Sequence, residues 1–221
     1  MNIESNIRSL SRVIPPNVKL IAVSKTRTPE EMMEAYEAGQ RAFGENRVRE
    51  IVSKYQVMPA DTEWHFIGHL QTNKVKQIAS FIGLIHSIDS LHLLTEVNRE
   101  AAKCNRVIDC LLQFYIATEE TKFGLDLQEA KDLLDSQEFR SFANIRVAGV
   151  MGMATLTDDK EKIRQEFRTL KGYFELLRQQ YFFGQPSFRE ISMGMSGDYP
   201  IAIEEGSTMI RIGTRIFEHG K

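Results

Sequence analysis

Short apolar runs rich in β-branched residues alternate along this chain with longer segments whose apolar positions recur every three or four residues. That alternation predicts strands separated by helices that pack on them. Eight runs qualify, at residues 20–24, 41–44, 64–67, 84–88, 108–115, 146–151, 190–193 and 209–213. Helical patterns lie between consecutive runs, and one further helix, at about 3–13, precedes the first.

Some helix ends are marked by their own chemistry. Thr28-Pro29-Glu30-Glu31 reads as a cap, a proline in the first turn and an acidic start, and Gly39 follows the last periodic residue, Ala38. Thr157-Asp158-Asp159 opens a long segment to about Tyr181, in which Phe167, Leu170, Phe174 and Leu177 form a stripe expected to face the sheet. Eight strand–helix units with no glycine-rich nucleotide fingerprint after the first strand favour a closed (β/α)8 TIM barrel over an open doubly wound sheet. No linker, low-complexity tract or shift of composition divides the chain, so residues 1–221 are expected to be one domain.

Composition narrows the function classes. Charged residues are 26% and hydrophobic residues 42% of the chain, ordinary values for a globular protein. With 28 Lys and Arg against 30 Asp and Glu, no general basic field attracts nucleic acid or anionic lipid, so neither is expected as a partner. No run approaches the roughly 20 apolar residues of a membrane span, and the N-terminus lacks the pattern of a signal peptide. Cys104 and Cys110 lie outside any Cys-x-x-Cys spacing, which argues against a disulfide framework or a zinc knuckle and suits a cytoplasmic location.

In such a barrel the site is built at the C-terminal ends of the strands. The first run ends Ala22-Val23-Ser24-Lys25, placing an ammonium beside a hydrophobic core. A desolvated lysine becomes a nucleophile able to form a Schiff base with an aldehyde, although lysines also snorkel from strand ends routinely without such a role. The seventh run continues into Met193-Gly194-Met195-Ser196-Gly197-Asp198, and the eighth into Gly213-Thr214-Arg215. These are either two ordinary turns or the phosphate cradle that barrels often carry at this place. Met193 and Met195 read as wall packing. His65 and His69 have the four-residue spacing of a metal pair, but in a strand that spacing does not align imidazoles as a helix does, and no metal is expected. A lysine plus a phosphate cradle implies a ligand with an aldehyde and a phosphate. Pyridoxal 5'-phosphate (PLP) has both, and Arg211 is placed to reach its pyridine nitrogen.

At these residues the chain resembles the YggS/PROSC (PLPBP) family of PLP homeostasis proteins, which are alanine racemase N-terminal domain-like. The segments that carry the resemblance are Ala22-Val23-Ser24-Lys25, Phe43-Gly44-Glu45-Asn46, Trp64 to Lys74, Lys122-Phe123-Gly124, Ser192 to Asp198 and Arg211-Ile212-Gly213-Thr214, spread over almost the whole chain. The resemblance implies a lysine aldimine at Lys25, Arg211 facing the pyridine nitrogen, phosphate contacts from Ser196, Gly213 and Thr214, and a ring pocket lined by Asn46, His65 and Met193.

Two departures from racemases of the same fold bear on activity. Lys25 is followed by Thr26-Arg27-Thr28-Pro29 rather than a Tyr-Gly element, and the chain is expected to lack the C-terminal β-domain that supplies a racemase's second acid/base. Of the six tyrosines only Tyr199 is expected in a rim segment. An arginine opposite the ring nitrogen also disfavours protonating it, which weakens the electron sink that transamination needs. The expectation is a monomeric, cytoplasmic PLP-binding protein that buffers the cofactor or delivers it to PLP-requiring apo-enzymes, with no strong catalysis of its own. A weak PLP-dependent amino-acid racemase is the alternative.

Overall fold

Eight parallel strands close into a barrel in chain order, each paired with the next and the last with the first. The computed structural model describes residues 2–117 and 124–218. The strands are β1 Lys19–Val23, β2 Ala42–Glu45, β3 Glu63–Phe66, β4 Leu84–Ile88, β5 Ile108–Phe114, β6 Ile145–Gly152, β7 Glu190–Ser192 and β8 Met209–Ile212. The eight predicted runs correspond to these one for one, each end lying within one residue of its predicted place.

The helices are α1 Ile3–Val13, α2 Pro29–Glu37, α3 Val48–Tyr55, α4 Leu91–Lys103, α5 Leu127–Asp135, α6 Gln137–Ser141, α7 Lys160–Gln180, α8 Tyr199–Glu204 and α9 Thr214–Phe217. Thr28 caps α2 through a full capping box with Glu31, and Asp159 caps α7 by accepting from two backbone N–H groups. Phe167, Leu170, Phe174 and Leu177 of α7 are all buried, as their spacing requires. One connection departs from the predicted pattern. Between β3 and β4 the chain forms only a 3₁₀ helix, Thr72–Gln77, because residues 67–71 are spent crossing the barrel rim.

Two apolar layers result from the alternation of side chains along each strand. The larger one lies between strands and helices and includes Phe43, Ile191 and Ile210. A smaller cluster of Leu84, Leu111, Ala148, Met151 and Met209 fills part of the barrel interior. Gly149 is required where β6 meets β7, since a Cβ there would lie 1.8 Å from the Glu190 carbonyl oxygen. The rest of the interior is polar, and that polar part builds the site.

Candidate functional site

Lys25 stands just past the end of β1, on a turn held from three sides. Lys54 Nζ of α3 donates to the Ser24 carbonyl at 2.8 Å, the Ser24 hydroxyl donates to Glu45 Oε1 at 2.7 Å, and the Thr26 N–H donates to Glu50 Oε2 at 2.9 Å. Lys54 and Glu45 are themselves paired at 2.6 Å and buried. Burial pushes the Glu45 carboxyl above its ordinary value, against the pull of Lys54 and Ser24. The side chain of Lys25 is exposed. Lys25 is therefore not the desolvated ammonium expected from the sequence: its residue is exposed, and what distinguishes it is the hydrogen-bonded turn that carries it.

Beside this turn, since β8 pairs with β1, the loops after β7 and β8 meet. Arg215 Nε donates to the Ser196 carbonyl at 2.9 Å, joining the two loops. The Met195 N–H is taken by Asp198 Oδ1, but the backbone N–H groups of Ser196, Gly197, Gly213 and Thr214 find no acceptor among the described residues. Neither do the Ser196 and Thr214 hydroxyls have a partner among them, and the space where a Gly197 side chain would project is open. Gly213 lies against the end of β1, with its notional Cβ 3.2 Å from the Val23 carbonyl oxygen. Converging, unpartnered donors of this kind suit an anion such as a phosphate.

Arg211, on β8 beside Ile21 of β1, is buried. Its Nη1 donates to Ser192 Oγ at 2.6 Å and its Nη2 to the Gly152 carbonyl at 3.1 Å. Burial pulls the guanidinium down to about 10, which leaves it a cation at neutral pH. Asn46 follows β2, and its Oδ1 is buried without a partner among the described residues, as is the Ser87 hydroxyl. Gly68 lets the loop after β3 pack onto Asn46, since a Cβ at residue 68 would lie 2.5 Å from the Asn46 carbonyl oxygen.

The remaining expected site residues are placed elsewhere. Met193 is fully buried in the layer between strands and helices. His65 points into the barrel interior, bonded to His86 at 2.9 Å, and lines a cavity of about 490 Å³ at the N-terminal ends of the strands. It reaches Arg211 only through His86 and Ser192. His69 is exposed and turned to Asp89 at 3.1 Å, so the two histidines do not face one another. Tyr199 is buried beneath the Arg215 guanidinium, and Tyr115, at the end of β5, is a second tyrosine on the rim that the sequence reading placed inside a strand. Lys122 and Phe123 lie outside the described residues.

Sequence reasoning missed Lys54, His86 and Ser192 as parts of this site. Lys54 carried a signal: it follows Ile51 on the apolar face of α3, where a charged residue needs a partner. For His86 and Ser192 nothing local distinguishes a polar residue that faces inward from one at the rim.

The family model for the alanine racemase N-terminal domain matches residues 1–219. The pyridoxal phosphate homeostasis protein of Aquifex aeolicus is 40% identical over 204 residues, 92% of this chain and 87% of the relative. That of Synechocystis is 37% identical over 206 residues, 92% of each chain. Among solved structures, PipY of Synechococcus elongatus with PLP bound superposes with a TM-score of 0.88 at 34% identity, over 98% of this chain and all of that one.

Proposed function

The chain belongs to the alanine racemase N-terminal domain family, among its pyridoxal phosphate homeostasis proteins, and from that premise we propose that it binds PLP covalently through Lys25 and takes part in holding and delivering the cofactor. The observation that carries this reading is the convergence, at one barrel mouth, of an exposed amine on a hydrogen-bonded turn, a set of N–H and hydroxyl groups with no partner among the described residues, and a buried guanidinium.

The residues fit the group. Its phosphate would take the free donors of Ser196, Gly197, Gly213 and Thr214, and Asn46 Oδ1 is a buried acceptor still in want of a donor. Arg211 would face the pyridine nitrogen, and its charge opposes protonation there. When bound, PLP supplies an aldehyde carbon to which an amine adds with loss of water. The chain's own part is to present Lys25 Nζ and to anchor the phosphate. Met193 stays in the packed layer between strands and helices, and His65 is joined to Arg211 only through His86 and Ser192.

Storage and transfer, rather than turnover, is supported by two features. Lys25 is exposed, and Tyr199 is buried under Arg215 and so is not presented as an acid/base. The cofactor would pass to PLP-requiring apo-enzymes. The reading takes the protein to act as a monomer, and two unpaired cysteines suit the reducing cytoplasm. Among the described residues no helix is long and apolar enough to cross a membrane.

The test is borohydride reduction of PLP-treated protein followed by peptide mapping, with L-alanine racemisation assayed in parallel. Label on Lys25, absent from Lys25→Ala, is expected. Label on Lys74 instead, or alanine turnover at the roughly 1 to 1,000 per second usual for enzymes, overturns the reading.

A further inference from the structure

Three hydrogen bonds run through the barrel interior from Arg211 to His65, which faces a carboxylate at the opposite mouth, and holding PLP by its aldehyde and phosphate does not require them. Arg211 Nη1 lies 2.6 Å from Ser192 Oγ on β7, which lies 2.9 Å from His86 Nδ1 on β4. His86 Nε2 lies 2.9 Å from His65 Nδ1 on β3, and His65 Nε2 is 3.9 Å from Glu63 Oε2, which pairs with Lys19 on β1 at 2.7 Å. Glu63, His65 and Lys19 line the 490 Å³ cavity at the strands' N-terminal ends.

The direction of the chain follows from its two ends. A guanidinium only donates, so Ser192 Oγ accepts from Arg211 and keeps its single O–H for His86 Nδ1. His86 then carries its proton on Nε2 and donates to His65 Nδ1, and His65 in turn carries its proton on Nε2, facing the Glu63 carboxylate. The reverse order fails twice. It strands the buried Ser192 hydroxyl hydrogen without an acceptor, and it turns a bare imidazole lone pair toward a carboxylate. Burial disfavours the charged form of both rings, and at His86 the nearby Arg211 charge adds to it. The three hydrogen bonds from Arg211 to His65 therefore point the same way, leaving the His65 Nε2–H turned to the Glu63 carboxylate 3.9 Å away, and aligned bonds polarise one another.

We propose that Ser192, His86 and His65 are positioning residues for Arg211. They fix its guanidinium toward the cofactor ring and couple the ring nitrogen's environment to the Lys19–Glu63 pair in the distal cavity. This rests on the reading that PLP is held at Lys25.

The test has two arms. Long-range ¹H–¹⁵N spectra of histidine-labelled, cofactor-free protein are expected to show His65 and His86 as neutral Nε2–H tautomers, and an Nδ1–H tautomer or an imidazolium at His86 overturns the chain. In protein loaded with ring-¹⁵N PLP, Glu63→Gln is expected to shift the pyridine ¹⁵N resonance and the visible absorption maximum. Asp109→Asn, in the same cavity but paired with Arg146 and outside the chain, is expected to leave both in place. Ser192→Ala is expected to abolish the response to Glu63→Gln. Equal shifts from Glu63→Gln and Asp109→Asn, or none from either, overturn the coupling. Borohydride labelling of Lys25 in each sample separates these failures from failure of the PLP reading, which is shown by unlabelled wild type and takes the coupling with it.

Discussion

Lys54 Nζ lies 2.6 Å from Glu45 Oε1, and the two side chains are 7% and 0% exposed. Together they grip both the carbonyl and the hydroxyl of Ser24, the residue before Lys25. Removing one partner of a buried pair leaves the other uncompensated, at a cost of about 3 to 5 kcal/mol. Lys54→Met is expected to lose about that much at pH 8. Glu45 is already pushed above its ordinary value by burial, so the folded form takes up its proton before the unfolded form does. Its contribution is greatest below the ordinary value of 4.5 and is lost as pH rises through the folded value. The deficit of Lys54→Met should accordingly shrink at pH 5, where Glu45 takes up a proton more readily. Urea unfolding at both pH values checks this, and an equal deficit at each would refute the assignment.

Ser196 and Thr214 present hydroxyls to the junction of the loops after β7 and β8. A hydrogen bond to a charged acceptor contributes roughly 1.5 to 3 kcal/mol. The double variant Ser196→Ala with Thr214→Ala is expected to weaken PLP binding by at least about a hundredfold. Pyridoxal, which lacks the phosphate, should bind variant and wild type alike. Equilibrium binding of both compounds decides it.

Gly68 allows the loop after β3 to sit on Asn46, whose carbonyl oxygen would be 2.5 Å from an added Cβ. Backbone cannot yield as a flexible side chain does. Gly68→Ala is expected to destabilise the fold by about 1 to 3 kcal/mol and to weaken PLP retention, since Asn46 must move. Thermal unfolding together with the cofactor dissociation rate measures both effects, and an unperturbed variant would show that the loop is free to shift.

The exposed position of Lys25 predicts fast chemistry with small nucleophiles. Hydroxylamine is expected to discharge the PLP-treated protein far faster than it discharges a full-length alanine racemase, as followed by the visible band. Equal resistance in the two proteins would mean that the site is enclosed and would remove the physical basis for transfer.

The order of eight strands, the caps of α2 and α7 and the position of Lys25 at a strand end were all legible in the chain, because each depends on local periodicity or on residues within one turn of each other. The glycine-containing loops after β7 and β8 were legible for the same reason. The state of those residues was not. That Lys25 is exposed, that Lys54 reaches across from α3 to hold its neighbour, and that His65 turns inward to His86 depend on which face of the closed barrel each strand presents. Barrel closure brings Arg211, Ser192 and His86 from three strands into hydrogen-bonding distance although they are up to 125 positions apart, 211 − 86. A run such as His86-Ser87-Ile88-Asp89 carries polar residues on alternating faces, and only the tertiary structure decides that His86 faces the barrel interior while Asp89 meets the exposed His69.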